Sequence, residues 1–197
     1  MDRLVLFAGC AGRGISEMKF NRNLILAAVL FLAFCFVFPQ FVPDDTYISL
    51  RYARNLADGS GLTFNPGERV EGYSNFLWIL MCSVMFVAGL DLAGCVGLSI
   101  LFGLSTLYLV WRLNRGSALY LAVCVPFVAY SVSGMETALF SFLLVLIWWL
   151  WRLRNFRGAG VVGVLLAMCR PEGLVVFPVL VLSELWIKKT KELAKGA

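Results

Sequence analysis

The chain has 197 residues, of which 60% are hydrophobic and 15% charged, with a mean hydropathy of +0.83. A soluble domain carries about 25% charged and about 45–50% apolar residues, so this excess cannot hide in one core of this size, and part of the solvent must be lipid. The net charge is +5 and His is absent. The basic residues flank apolar runs, as membrane topology requires, which argues against a nucleic-acid partner. The missing imidazole excludes Ser-His-Asp and Cys-His catalysis and leaves acid–base work to carboxylates, Lys, Tyr or Cys.

Residues 1–23 form a basic N-terminus, with Arg3, Arg13, Lys19 and Arg22 against Asp2 and Glu17. Residues 1–17 are read as an over-extended start, because Met18 stands just ahead of a span. Leu24 to Val42 is apolar except for Gln40, and its 19 residues make about 28 Å of helix, enough for a first membrane span. Its basic flank puts the N-terminus in the cytoplasm and Pro43 on the extracytoplasmic side.

The segment 43–74 is the one long polar island, holding five of the 12 carboxylates: Asp44, Asp45, Asp58, Glu68 and Glu71. Asp44 or Asp45 is expected to cap a helix from Thr46 to Asp58. On it, Arg51, Arg54, Asn55 and Asp58 share one face, and Ile48, Tyr52, Ala53 and Leu56 another. That pattern predicts an amphipathic helix lying in the membrane interface. Asp58-Gly59-Ser60-Gly61 stops it, and Asn65-Pro66-Gly67 is a turn.

Asn75 to Leu90 reads as a second span, Asp91 to Gly94 as a break, and Cys95 to Leu113 as a third span. Ala118 to Val132 is short and contains Pro126; Ser133 to Thr137 interrupts the apolar pattern. Ala138 to Trp151 is a further span, closed by Trp148, Trp149 and Trp151 with Arg152, Arg154 and Arg157. Two short apolar runs, 158–169 and 173–186, surround Arg170-Pro171-Glu172. The tail, 188–197, is basic and expected in the cytoplasm. The prediction is an all-α, polytopic transmembrane helical bundle over 24–187, with about six or seven membrane segments. Counting each run as a crossing would put Arg152 to Arg157 outside. Treating 118–132 as a re-entrant hairpin repairs this, brings Ser133–Thr137 and Arg170–Glu172 to the side of Asp44 and Asp45, and leaves Arg112 and Arg115 outside.

The candidate chemistry sits at the break points. Asp44 and Asp45, where the chain leaves the first span, are the candidate catalytic pair, one acting as general base on an acceptor hydroxyl; the bland alternative is a helix cap and a solvated charge. Arg51 and Arg54 are candidates for phosphate recognition, or simply snorkel to headgroups. Glu136 marks either a loop or a site, because a charge at membrane depth is costly. Arg170 and Glu172 form either a self-satisfying pair or a contact with an anionic lipid carrier. Tyr47 and Glu71 are further candidate substrate contacts in the loop. Trp78, Trp111 and Trp186 read as interface anchors rather than sugar platforms. The six cysteines are scattered, with no CxxC and no metal spacing, so neither a disulfide framework nor a metal is expected.

The stretch Asp44 to Trp78 resembles the first extracytoplasmic loop of GT-C fold membrane glycosyltransferases, in particular the branch containing the terminal arabinofuranosyltransferases. Ser133-Gly134-Met135-Glu136-Thr137-Ala138-Leu139 and Arg170-Pro171-Glu172-Gly173 resemble later motifs of that branch, in matching order. The resemblance covers roughly residues 24–186. It implies a multi-pass enzyme of the cell membrane that needs no cofactor, takes a polyprenyl-phosphate-linked sugar as donor, and inverts the anomeric carbon. Its acceptor would be a glycan, a lipid or a protein. By that pattern Asp44 is the base, Asp45 its neighbour, Arg51, Arg54 and Arg170 face the donor phosphate, and Glu136 stands near the acceptor. Members of the family run to several hundred residues, so a downstream chain that completes the scaffold is an expected partner. The competing readings are a transporter or flippase of lipid-linked sugars and a non-catalytic truncated subunit.

Overall fold

A computed structural model of the chain describes residues 22–38, 42–68 and 70–195, with their side chains except those of 188 and 190–195. The over-extended start at 1–17 and most of the basic tail's side chains lie outside it. All regular structure among the described residues is α-helical. Among the described residues, one helix is long and apolar enough to cross a membrane, and five shorter helical stretches are apolar.

Helix α1, Arg22–Val37, is shorter than the expected first span. It stops one residue before Phe38, whose successor Pro39 disfavours helical backbone in the residue ahead of it. Helix α2, Asp44–Ala57, starts two residues earlier than predicted. The N-cap is Pro43, and neither aspartate makes a capping hydrogen bond. Both lie in the first turn instead, where the helix dipole favours negative charge.

The largest departure is α3, Phe76–Val87, which does not traverse the bundle. It turns at Ala88–Leu90 on Gly89 (φ +72°) and packs antiparallel against the start of α4, Asp91–Leu113. The contacts run Met85 against Gly94 and Cys82 with Cys95. The predicted break at Asp91–Gly94 is therefore the first turn of α4, with Asp91 on its positive end.

From α4 onward the chain shuttles between two ends. Helices α5, Ser117–Ala122, and α6, Val125–Ser131, replace the expected re-entrant hairpin. They are separated at Val123–Cys124, with Pro126 in the first turn of α6, where a missing N–H costs nothing. Together they advance along α4 rather than doubling back. Ser117 and Tyr120 lie across a groove from Val110, Ser131 lies against Gly103, and the loop after Ser131 meets Ser99. Gly103 permits this packing: an added Cβ would lie 2.6 Å from Phe31 Cζ and 2.9 Å from Ser131 Oγ.

Helix α7, Thr137–Arg152, runs parallel to α4. Met135 O accepts from Ser99 Oγ just ahead of it, the Phe102 and Phe142 rings sit 5.4 Å apart, and Arg112 lies over Trp149 at 5.4 Å. Helix α8, Phe156–Cys169, returns, and α9, Gly173–Lys195, runs back again, its Glu184 2.6 Å from Arg154.

The placement of the arginine-rich turns thus has a different solution from the expected re-entrant hairpin. Because α3 folds back, the chain reaches Arg112, Arg115, Arg152, Arg154 and Arg157 at one end of the bundle. Segments 133–136 and 170–172 reach the other, beside α2. Arg112 and Arg115 are not left at the site end. Two cores hold this arrangement: one around Trp78, Ile79, Leu143, Ile147 and Leu166, the other around Ala27, Phe31, Leu107 and Val128. Trp78, expected as an interface anchor, is fully buried at 0% exposure; Trp186 is exposed. Truncating a side chain like Trp78 costs about 3–5 kcal/mol.

Candidate functional site

The site is assembled on a polar seam that winds about half-way round α2. Thr46, Ser49, Tyr52 and Asn55 recur every third residue, and all four are buried. Thr46 Oγ1 donates to Ser133 O at 3.0 Å. Ser49 Oγ accepts from Asn75 Nδ2 at 2.9 Å. Tyr52 donates to Val70 O at 2.9 Å and accepts from Gly72 N at 3.0 Å. Asn55 Nδ2 donates to Thr63 O and Phe64 O. The inner seam is therefore polar: Tyr52 and Asn55 bond backbone groups of the 58–75 loop, Ser49 the Asn75 side chain, and Thr46 the turn after α6. Asn55 belongs to it, not to the solvated face expected for it, because two carbonyls of the returning loop need a donor there.

The second wall is the turn 133–136. Gly134 has φ +73°, and an added Cβ would sit 3.1 Å from Thr46 Cγ2. Its carbonyl accepts from Trp78 Nε1 at 3.0 Å. That turn delivers Glu136 to the N-cap of α7, where the residue is 5% exposed.

A buried carboxylate needs donors, and Glu136 has two from distant parts of the chain. Asn75 Nδ2 donates to Oε2 at 2.8 Å, and Arg170 Nη1 donates to Oε1 at 3.2 Å. Asn75 is the N-cap of α3, yet its side chain does not cap; it spends both amide hydrogens on Ser49 and Glu136. Its Oδ1 is buried without a partner among the described residues.

Arg170 follows α8 in extended conformation, where Pro171 prevents further helix. Its remaining edge faces Glu172, with Nε to Oε2 at 3.4 Å and Nη2 to Oε1 at 3.3 Å. Side-chain exposure rises from 6% at Glu136 through 36% at Arg170 to 64% at Glu172, so the cluster leads from the interior to solvent. Glu172's hydrogen bond and charge hold the Arg170 guanidinium above its ordinary range, with Glu136 adding to it. A backbone hydrogen bond at Glu172, and then Arg170, hold the Glu172 carboxyl below the usual carboxylate value.

Of the residues singled out in the sequence, Glu136, Arg170 and Glu172 are brought into one ion-paired cluster. Asp44 and Asp45 are exposed two residues and one residue ahead of Thr46, at the rim, with no hydrogen bond or ion pair among the described residues. Tyr47 is 55% exposed beside them. Arg51 points along the loop, its Nε donating to Phe64 O at 3.2 Å, and Arg54 lies 4.0 Å from Asp58 on the helix surface. Glu71 is exposed on the loop. None of these last three joins the cluster. Sequence reasoning missed Ser49 and Asn75; their one signal was the Asn that opens an apolar run. Among the described residues no group of three or more Cys, Asp or Glu side chains is placed to hold a metal ion.

Over 131 aligned positions the chain is 31% identical to a terminal β-(1→2)-arabinofuranosyltransferase of Mycobacterium tuberculosis, a match covering 56% of this chain and 21% of that protein. The chain resembles the terminal arabinofuranosyltransferases. The protein of the same description from Corynebacterium glutamicum is 49% identical over 39 residues, 20% of this chain and 6% of that one. The arabinofuranosyltransferase-like chain thus matches about a fifth or less of the length of these relatives. No family model and no solved structure matches it.

Proposed function

We propose that the chain is a multi-pass membrane glycosyltransferase that moves a sugar from a polyprenyl-phosphate donor to an acceptor on the extracytoplasmic side, with inversion. The observation that supports this best is the convergence of three separate stretches, 44–75, 133–137 and 170–172, on one cluster at the end of the bundle opposite its arginine-rich turns. By the charge rule, the arginine-rich end is cytoplasmic, and so is the N-terminus. The site and the loop 43–74 then face outward, and the five shorter apolar helices lie in the bilayer with α4.

In this reading Asp44, without a partner among the described residues at the rim, takes the proton of the acceptor hydroxyl, with Asp45 beside it. A carboxylate so used must be reachable by substrate, and exposure on a helix's first turn provides that. Arg170, fixed from behind by Glu136, meets the donor phosphate through a planar fork suited to its oxygens. Tyr47 offers a ring at the same rim. Arg51, Arg54 and Glu71 take part only if the loop rearranges around substrate.

The test is sugar transfer by the full chain in nanodiscs, from a polyprenyl-phosphate pentose to a glycan acceptor. Wild type is expected to transfer, and Asp44→Asn to lose about two to four orders of magnitude of rate. Unchanged turnover in that variant removes the assigned base. No transfer by wild type with any prenyl-phosphate sugar overturns the enzyme reading.

A further inference from the structure

Arg170 is held on two edges of unlike character. Its inner nitrogen, Nη1, is tied to Glu136, a carboxylate with 6% exposure that is itself fixed by Asn75. Its outer edge, Nε and Nη2, is covered by both oxygens of Glu172, which is 64% exposed. The contacts are of similar length on the two edges, 3.2 Å inside and 3.3 and 3.4 Å outside. What separates them is exposure: water competes for the Glu172 carboxylate and not for that of Glu136, so the outer contact is the weaker one. The arrangement is that of a guanidinium receiving two oxygens of an oxyanion, with a side chain of the protein in the ligand's position.

Charge makes the contact exclusive. Glu136, Arg170 and Glu172 together carry one net negative charge. A phosphate approaching the outer edge would meet a carboxylate already bound there and a cluster of its own sign. If Glu172 swings out, the fork is exposed while Glu136 still orients the guanidinium from the buried side. The segment is suited to this: Glu172 sits between Pro171 and the start of α9, and no other side chain among the described residues bonds its carboxylate.

We infer that Glu172 is a placeholder on an anion-binding fork formed by Arg170, released when a phosphate mono- or diester binds there. This rests on the phosphate-donor reading above and adds a competitor to it. Glu172 sets how strongly the site holds its anion and keeps the fork covered between turnovers.

The test is direct binding of farnesyl phosphate to the full chain in phosphatidylcholine nanodiscs. Glu172→Gln and Glu172→Ala, both at an exposed position, are expected to bind about fivefold tighter than wild type, the fold-change of one lost exposed ion pair. Arg170→Lys keeps a charge against Glu136 but has no fork, and is expected to bind at least about tenfold more weakly, with Glu172→Gln giving no gain in its background. Equal or weaker binding by both Glu172 variants, with Arg170→Lys still impaired, overturns the placeholder and leaves the phosphate reading intact. No saturable binding by wild type or by either Glu172 variant overturns both. Inorganic phosphate and phosphatidylglycerol in the disc, used as competitors, separate a free phosphate from a lipid headgroup as ligand. A larger competitive effect in Glu172→Gln than in wild type supports the exchange for whichever source competes, and the same effect in both proteins counts against it.

Discussion

Asn75 and Glu136, 61 residues apart, are joined by a 2.8 Å hydrogen bond that ties the end of the polar loop to the entrance of α7. The same amide nitrogen also holds Ser49 on α2, so three elements meet on one side chain. Asn75→Leu should leave Glu136 and Ser49 short of a donor and lower stability by about 1–3 kcal/mol, read as a shifted thermal transition of the purified chain. Asn75→Asp should do at least as much harm, because it sets a second carboxylate against the first. A variant with the wild-type transition would mean that the bond contributes nothing.

Gly134 supplies a backbone conformation at φ +73° that other residues adopt at a cost, and it lies against Thr46. Gly134→Ala should destabilise by about 1–2 kcal/mol from the backbone alone. It should also push α2 away from the turn, speeding hydrogen exchange at the amides of residues 47–50. Exchange there that matches wild type would contradict the close fit.

Arg170 and Glu136 form a pair that is buried on one side and open on the other. Arg170→Met alone should cost about 2 kcal/mol, since it leaves a buried carboxylate with one donor. Adding Glu136→Gln should restore part of that loss, because the orphaned charge is gone. A double-mutant cycle on the melting transition reads the coupling; strict additivity would show that the two groups do not interact.

Glu172 gives a pH signature. Its carboxyl is held below the ordinary value in the folded protein, so its contact with Arg170 is fully present above the unfolded value. It is lost as pH falls through the lowered folded one. The carboxylate infrared band assigned by Glu172→Gln subtraction should therefore persist on acidification past the range where an ordinary glutamate protonates. Loss of that band at the ordinary glutamate value would sink the assignment.

Much of this arrangement could be read from residue order. The helix after Pro43 was readable because charged and apolar residues recur at helical spacing. The turns at 133–137 and 170–172 were readable because polar residues and Pro171 interrupt long apolar runs. What could not be read was direction. Phe76–Val87 is as apolar as a half-span, and composition reports burial but not whether a helix continues or folds back; Gly89 decides that locally. The seam of Thr46, Ser49, Tyr52 and Asn55 was hidden for a related reason. A polar residue facing a loop's carbonyls has the same spacing as one facing water, and only the returning loop distinguishes them.

In the proposed membrane reading, the place of Ser99 on α4 also sets a depth. Ser99, which bonds the turn that carries Glu136, lies 14 residues before Leu113 on α4, about 21 Å along its axis. A bilayer's hydrocarbon layer is about 30 Å thick. With α4 across that layer, the ion-paired cluster lies roughly 10 Å beneath one surface, and the α3–α4 hairpin stands above it like the rim of a well. A water-borne acceptor would have to be lowered into that well, whereas a sugar carried on a lipid could enter from the side without leaving the oil.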